Sequence, residues 1–304
     1  MELRDIEYFA VVAEHGNVRR ASEALGLSPP ALSKSLRRLE QSMQAKLVER
    51  TPKGVALTPV GAALLAQVRR IRVTLSDVRR EAEDLSQGRA GHLRIGVGAT
   101  TVEDLPAACA ALLKEAPDVT AQIIVADNDV MVPALRNAEL DLIFNVIPDS
   151  PYPGCIQERL FDDVFVVCAS AQHRLARRKR LSLAELVHEQ WTLSAPAVLN
   201  VQHVQRVFQA SGLPAPRVAI EARPLGLRLQ LCASTHLLGF NARRTLKLFA
   251  PRFRLKELPV DALKWRRAVG VIYRNGSYLS PAARRLIALL KKAAWRRPGP
   301  ADAA

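Results

Sequence analysis

Helix stop and start signals divide the first sixty residues of the chain into short segments. Gly16 and Gly26 each follow an amphipathic run, and glycine is the usual residue just past a helix end. Ser28 then precedes Pro29, so a capping side chain is followed by a proline, which the first helical position accepts. The pattern predicts three helices, over residues 3–13, 18–25 and 29–43.

The third of these helices has one apolar and one basic face. Leu32, Leu36, Leu39 and Met43 are spaced four, three and four residues apart, which aligns them on one buried stripe. Two short helices around a glycine-containing turn, the second of them basic on its free face, are typical of a helix-turn-helix. Turn residues at positions 52 and 54 then predict a small β-hairpin, which in this place is a wing.

A basic helix face within a helix-turn-helix predicts contact with double-stranded DNA, although a solvated charged surface is the plainer alternative. Ser33, Lys34 and Arg37 are expected to face the major groove, and the helix N-terminus can accept a phosphate. Neighbouring basic residues are expected on backbone phosphates, which add affinity without sequence information. The candidate DNA contacts are Arg20, Ser28, Pro29, Pro30, Ser33, Lys34, Arg37, Arg38, Arg50 and Lys53.

Thr58 and Pro59 open a long helix that extends to about residue 88 and carries an apolar seam. The seam residues alternate four and three apart, as in a coiled coil. Such a stripe must be buried, either by the body of the protein or by a second copy of the helix, and we expect a homodimer. The seam consists of Leu64, Val68, Ile71, Leu75, Val78, Ala82 and Leu85.

From residue 92 onward, apolar strands alternate with helical segments. This alternation predicts an α/β body with mainly parallel sheets, and about 210 residues are enough for two lobes. Strands are predicted at residues 92–97, 120–125, 140–146, 164–168, 191–193, 218–222, 237–240 and 268–273. Helices are predicted at residues 102–115, 130–138, 200–210, 225–233 and 280–295.

The net charge of +15 is unevenly distributed. Residues 1–88 carry 14 Lys and Arg against 11 Asp and Glu, so basicity does not mark the helix-turn-helix. Residues 89–164 carry 5 against 12, and residues 165–267 carry 18 against 5. An acidic lobe facing a basic lobe would favour closure, although the basic run at 174–180 is expected to be a solvated loop.

Other function classes find little support in the sequence. Charged residues interrupt the N-terminal run and no stretch approaches about 20 apolar residues, so we expect a cytoplasmic protein without a membrane span. The four cysteines are scattered, which predicts free thiols and neither a metal nor another cofactor. Motifs of hydrolases, zinc proteases and complete phosphate loops are absent from the sequence, so no enzyme is expected.

The chain resembles the LysR-type family of bacterial transcription regulators over its whole length. Residues 1–16 resemble the first helix of the family, residues 20–40 its helix-turn-helix, and residues 47–61 its wing and the start of its linker helix. Pro29 stands where the family usually has glutamine, and Lys34 where it often has arginine. Proline has no side-chain amide, so the glutamine contact is not expected here.

The resemblance implies a domain plan and partners. It places a winged helix-turn-helix at residues 1–58, a linker helix at 59–88, and a two-lobed domain similar to type 2 periplasmic binding proteins at 89–304. Lobe one would comprise residues 89–163 and 268–304, and lobe two residues 164–267, with crossings near 162–165 and 265–269. Further implications are promoter DNA as target, a small-molecule effector between the lobes, tetramers built from linker-helix dimers, and RNA polymerase as partner if the protein activates.

The same resemblance implies effector contacts at Thr100, Thr101, Val198, Asn200 and Arg223. Threonine hydroxyls can bind a ligand or merely cap the following helix. An arginine in the cleft would favour an anionic effector such as a carboxylate or sulfonate. The alternatives are a cytoplasmic solute-binding α/β protein and a constitutive DNA-binding protein without effector response.

Overall fold

The computed structural model describes residues 2–52, 54–87, 91–196 and 198–295. Contacts between residues divide the chain into two units, Met1–Arg79 and Arg80–Ala304. Each unit is described by itself below.

The first unit contains the three predicted helices and the predicted hairpin. Ser28 caps the third helix by accepting a hydrogen bond from the backbone N–H of Ala31 at 3.3 Å. Gly16 and Gly26 end the first two helices in the left-handed conformation, with φ of 59° and 63°. Asn17, which the sequence analysis did not single out, caps the second helix. The elements are α1 Leu3–His15, α2 Val18–Leu25, α3 Pro29–Met43, β1 Val48–Thr51, β2 Gly54–Leu57 and α4 Pro59–Gln87.

The wing is attached directly to the first helix. The N–H of Val55 donates to the carbonyl oxygen of Gly16 at 2.8 Å. Gly54 has φ of +134°, and a Cβ there would lie 2.2 Å from that same Gly16 oxygen. Glycine is therefore required at position 54, both by its backbone conformation and by the close approach of the wing to α1.

The seam of α4 divides into two parts. Leu64 and Val68 pack into the core of the first unit with Phe9 and Leu39. Ile71, Leu75 and Val78 are instead exposed in the single chain, to 47%, 54% and 57%. Leu85 lies outside the residues whose side chains are described. The exposed half of the seam is the part that still needs a partner.

The second unit confirms the predicted alternation of strands and helices. Two of its elements, α9 and β10, were not predicted. The elements are β3 His92–Val97, α5 Leu105–Glu115, β4 Thr120–Val125, α6 Asn128–Arg136, β5 Leu142–Val146, β6 Cys155–Ser170, β7 Gln190–Leu193, α7 Leu199–Ala210, β8 Arg217–Glu221, α8 Leu225–Ser234, β9 Gly239–Ala242, α9 Arg243–Phe253, β10 Leu255–Glu257, β11 Trp265–Arg274 and α10 Pro281–Trp295.

The sheets are only partly parallel, which corrects the expectation of mainly parallel sheets. Strand β3 lies parallel to β4 and β5, and β7 lies parallel to β8. Strand β11 is antiparallel to β5 and β6, and β6 is antiparallel to β9 and β10. The antiparallel pairs arise because β6 carries the chain out of one lobe and β11 carries it back.

Strands β6 and β11 form a hinge between two groups of apolar side chains. The two strands pair along their length, from Phe165 opposite Trp265 to Cys155 opposite Arg274. Beyond Phe165, strand β6 pairs with β9. One apolar cluster, around Met131, belongs to residues of lobe one as defined above, and another, around Leu229, belongs to lobe two. These two strands contain the segments at which the resemblance implies that the chain crosses between the lobes.

Candidate functional site

The free face of α3 is exposed and basic. Lys34 and Arg37 are exposed and have no ion-pair partner among the described residues, and Ser33 beside them is half-buried. Pro29 and Pro30 are exposed at the helix start, with Ser28 before them. Arg20 and Arg50 are also exposed, and Lys53 lies outside the described residues. A free basic helix face beside a wing can enter the major groove of DNA.

Arg38 is placed differently from the other predicted DNA contacts. Its Nε donates to Oδ2 of the fully buried Asp5 at 2.8 Å, and its terminal nitrogen contacts Oδ1. Ser35 donates a further hydrogen bond to Oδ1 of Asp5 at 2.6 Å. Arg38 therefore fastens α3 to α1, because a buried carboxylate needs its counter-charge. Arg38 thus has a positioning role that the sequence analysis did not foresee, while its phosphate contact stays a prediction, since 49% of its side chain is exposed.

Acid should weaken this clamp. The Arg38 hydrogen bond lowers the pKa of Asp5 to about 2. A carboxyl whose folded-state pKa is depressed stabilises the fold above its unfolded pKa, and this stabilisation is lost as pH falls through the folded value. We expect Asp5→Asn to destabilise the protein by roughly 1–2 kcal/mol at pH 7 and by progressively less between about pH 4 and pH 2. Urea titrations across that range would test this, and a pH-independent difference would contradict it.

Arg37→Ala should weaken promoter binding without affecting assembly. An arginine that contacts a guanine edge contributes about 1–3 kcal/mol, so we expect at least about fivefold weaker binding. Arg69, an exposed arginine on α4, provides the matched control as Arg69→Ala. Mobility-shift titrations measure the affinity and light scattering the assembly. Equal affinity for the two variants would remove Arg37 from the DNA-reading face.

A cavity of about 330 Å³ lies between the two lobes. Three of the five candidate effector residues line it: Thr100 from the turn after β3, and Val198 and Asn200 from the start of α7. We call it the effector cavity. Its volume falls within the range of small-molecule sites. Thr101 does not line it, because the buried Thr101 hydroxyl contacts the carbonyl oxygens of Gly98 and Phe144 at 3.0 Å.

An amide network that the sequence analysis missed lines the lobe-one side of this cavity. The side-chain nitrogen of Asn145 donates to Oδ1 of Asn128 at 2.8 Å, and Asn128 contacts the hydroxyl of Tyr152 at 3.3 Å. A Cβ at Gly98 would lie 1.8 Å from Asn145 Oδ1, so the first turn of this lobe packs directly on the amide. These polar groups can orient a ligand.

Arg228 of α8 is the buried cation of the cavity. Only 5% of the residue is exposed, and its guanidinium donates to the carbonyl oxygens of Ala222 and Arg223. It has no carboxylate within ion-pair distance in the described part of the chain, although Asp127, which also lines the cavity, acts on its charge; burial lowers its pKa. A buried cation that lacks a paired carboxylate and lines a cavity is suited to bind an anion. Arg136 of α6 is a second, exposed cation in the lining.

Arg223, the predicted anion-binding residue, does not line the cavity. Its guanidinium crosses between the lobes and contacts Asp129 at 2.8 Å and Asp127 at 3.4 Å. The hydrogen bond from Arg223 lowers the pKa of Asp129. A second pair, Arg244 with Asp104 at 2.6 Å, also joins the lobes. The carboxylates of lobe one hold Arg223, so the structure does not place this candidate effector residue in the cavity lining.

The cysteines and the basic loop do not line the effector cavity. All four cysteines are free, as predicted. Arg174 and Arg178 of the basic run pair with glutamates near them in sequence, away from the effector cavity. The described residues contain no cluster of three or more side chains that could hold a metal ion, and no described helix is long and apolar enough to cross a membrane.

A winged helix-turn-helix joined to a two-lobed α/β domain with a cavity at its hinge defines a ligand-responsive DNA-binding protein. The family model of the bacterial regulatory helix-turn-helix protein, LysR family, matches residues 3–62. The model of the LysR substrate binding domain matches residues 86–295. The chain therefore belongs to the LysR family and is a transcription regulator with an effector-binding domain.

Individual relatives agree with this assignment. The HTH-type transcriptional regulator GbpR of Azospirillum brasilense is 29% identical over 296 residues, which cover 96% of this chain and 86% of that protein. The crystal structure of CbnR, a LysR family transcriptional regulator, has a TM-score of 0.62 at 21% identity and covers 97% of this chain and 99% of its own. The regulatory domain of Synechocystis PCC6803 CcmR in complex with 2-PG has a TM-score of 0.62 at 20% identity, covering 68% of this chain and 99% of that domain.

Proposed function

We propose that the protein binds promoter DNA through α3 and the wing, and that a small organic anion on Arg228 modulates this binding. The observation that carries the proposal is a buried arginine without a paired carboxylate in a cavity between two lobes. A ligand carboxylate or phosphate there would complete the charge balance of the site. The CcmR regulatory domain, which shares the fold and was solved in complex with 2-PG, supports a small-molecule ligand for this domain.

The DNA is read by Ser33, Lys34 and Arg37, with Arg20, Arg50 and Lys53 on phosphates. The freedom of Lys34 and Arg37 from ion pairs within the described chain supports this assignment. Pro29 and Pro30 offer only apolar contact at the start of α3. Base discrimination therefore rests on the middle of the helix, around Lys34 and Arg37.

The protein acts as a homodimer through α4. Three consecutive seam residues, Ile71, Leu75 and Val78, expose about half of their surface in the single chain, which supports a second copy of the helix as partner. Tetramers built from these dimers, and RNA polymerase as partner of an activator, extend the proposal.

The ion pairs between the lobes set the resting state of the sensor. Arg223 and Arg244 of lobe two each pair with a carboxylate of lobe one, so these charges already hold the two lobes together. An anion on Arg228 adds a further contact that differs between open and closed lobes, and only such a difference can shift their equilibrium.

The proposal also covers the location of the protein, its lack of enzymatic activity and its domain boundaries. The protein acts in the cytoplasm, is not an enzyme and needs no cofactor. The domain boundaries are 1–58 for DNA binding, 59–88 for the linker helix and 89–304 for effector binding. Lobe two covers residues 164–267.

The experiment that tests the function combines two screens on the purified full-length protein. Selection from genomic fragments yields the promoter DNA, which should be enriched over bulk DNA at raised salt. A thermal-shift screen then compares carboxylates and phosphate esters with neutral sugars at constant ionic strength. We expect stabilisation by a subset of the anions. Stabilisation by neutral sugars alone would contradict an anionic effector, and equal binding of all fragments would indicate a constitutive DNA-binding protein.

A further inference from the structure

A second cavity lies beside the hinge, with a volume of about 550 Å³. Loop residues 148–150 of lobe one and the middle of α7 in lobe two line it, together with Trp265 and Arg267 of β11. We call it the hinge groove. Arg228 and Arg136, the two cations of the effector cavity, do not line it, so the groove has its own charged residues.

Arg267 supplies a buried cation to the hinge groove. Its side chain is only 3% exposed, and its guanidinium lies 4.5 Å from the ring centre of Trp265. One terminal nitrogen donates to the carbonyl oxygen of Ile147, and Nε has no hydrogen-bond partner among the described residues. Burial lowers the pKa of Arg267. A guanidinium in this setting requires an anion to balance it.

The carboxylate of Asp149, which pairs with Arg267, is a weakly held partner. Nη1 contacts Oδ1 of Asp149 at 2.9 Å, and Asp149 is the one carboxylate paired with Arg267 in the described part of the chain. The Asp149 side chain is 97% exposed. An exposed carboxylate gains little from a fixed position, because water solvates it well and fixing it reduces side-chain freedom. Asp149 is therefore a partner that another anion can replace.

The remaining lining is suited to a polar organic molecule. Arg206 adds a second, exposed cation. Gln202, Gln205 and Gln209 follow at spacings of three and four residues, so their amides share one face of α7. Each amide can both donate and accept, as recognition of hydroxyl groups requires.

We propose that the hinge groove is a second ligand site, which binds a small hydroxyl-bearing organic anion whose carboxylate or phosphate replaces Asp149 on Arg267. The ligand's acidic group is held by Arg267 and Arg206, and its hydroxyl groups by the glutamine amides. This site goes beyond the proposed effector cavity and does not depend on it.

Occupation of the hinge groove acts on the effector cavity through shared walls. Leu199, Gln202 and Trp265 line both cavities, and Tyr152 of the effector cavity follows Asp149 by three residues. A ligand that displaces Asp149 shifts the loop that carries Tyr152. Ligands in the two cavities should therefore change each other's affinity by the same factor, since such coupling is reciprocal.

The test measures binding of inorganic phosphate and of malate to the full-length protein by calorimetry at constant ionic strength. Asp149→Asn removes the competing carboxylate, so we expect about tenfold tighter binding if Asp149 occupies Arg267 about nine-tenths of the time. Glu115→Gln is the matched control, because it also removes an exposed carboxylate paired with an arginine, Arg285. Preference for malate or for phosphate tells which acidic group the site takes.

Two further variants locate the site. Adding Arg206→Gln to Asp149→Asn removes a cation of the hinge groove and should weaken binding several-fold. Adding Arg228→Met removes the buried cation of the effector cavity and should leave binding in the hinge groove unchanged. Asp149 and Arg206 are exposed, so their substitutions should not disturb the fold, whereas Arg228 is buried; circular dichroism must show that each variant, Arg228→Met above all, is folded before its binding is compared. The proposal is overturned if Asp149→Asn binds no tighter than Glu115→Gln, if neither probe binds to Asp149→Asn, or if Arg228→Met alone abolishes binding.

Discussion

Gly61→Ala should unfold the DNA-binding unit. Gly61 lies in the first turn of α4, and a Cβ there would lie 1.9 Å from the carbonyl oxygen and 2.9 Å from the carbonyl carbon of Leu47. Leu47 is fully buried, and the same oxygen accepts a hydrogen bond from the N–H of Thr58 at 3.1 Å. The backbone therefore has no room to yield, and we expect a loss of about 3 kcal/mol or more.

Urea unfolding followed by circular dichroism, together with promoter binding, measures this effect. Gly226→Ala is the control, because Gly226 lies in α8 with open space around its Cβ position. Alanine should stabilise that helix by up to about 1 kcal/mol. Gly61→Ala should lose promoter binding yet keep its response to effector anions, which belongs to the other unit. If Gly61→Ala is as stable as Gly226→Ala, then α4 does not pack on Leu47 as described.

Arg228→Met should abolish anion binding in the effector cavity. Truncating one partner of a buried, hydrogen-bonded charge pair costs about 2–5 kcal/mol, so affinity should fall by at least about thirtyfold. Arg223→Met removes an exposed arginine of the same lobe that does not line the cavity; it also unpairs Asp127 and Asp129, which do, so we expect a smaller loss of several-fold. Calorimetry with an anion from the thermal-shift screen measures both.

Arg228 also holds two backbone carbonyl groups, so its loss could disturb the fold. Arg228→Lys keeps the charge and separates the two effects: it should retain part of the affinity, because lysine offers a point charge but not the planar fork of arginine. If Arg223→Met abolishes binding and Arg228→Met does not, then the effector contact predicted from sequence at Arg223 was right and the cavity assignment is wrong.

The first sixty residues could be interpreted from sequence because their signals are local. Ser28 and Pro29 start α3, and Gly16 and Gly26 end the helices before it, each by a mechanism that acts within a few residues. The clamp from Arg38 to Asp5 was missed because it joins positions 33 residues apart. No periodicity distinguishes an arginine that faces DNA from one that faces a buried carboxylate.

The effector cavity was harder to predict because two lobes build it. Thr100, Val198 and Asn200 follow from the resemblance, since each stands at an element start that faces the cleft. The sequence pointed to Arg223 as the cation for the effector, whereas Arg228 lines the cavity. The reason is that Asp127 and Asp129, about a hundred positions earlier in the sequence, hold Arg223 across the lobes. Strand β10 was missed because it has three residues and Leu255 is its one buried apolar side chain, and α9 because it has no capping side chain and contains Pro251.

Promoter affinity of the full-length protein, measured by fluorescence anisotropy with and without an anion that binds through Arg228, tests the account most directly. At saturating anion, the wild-type protein should change its affinity for the promoter by about fivefold or more, as coupled sites commonly do. Arg228→Met should bind the same DNA with no response to the anion. Identical promoter binding by the wild-type protein with and without saturating anion would contradict the account.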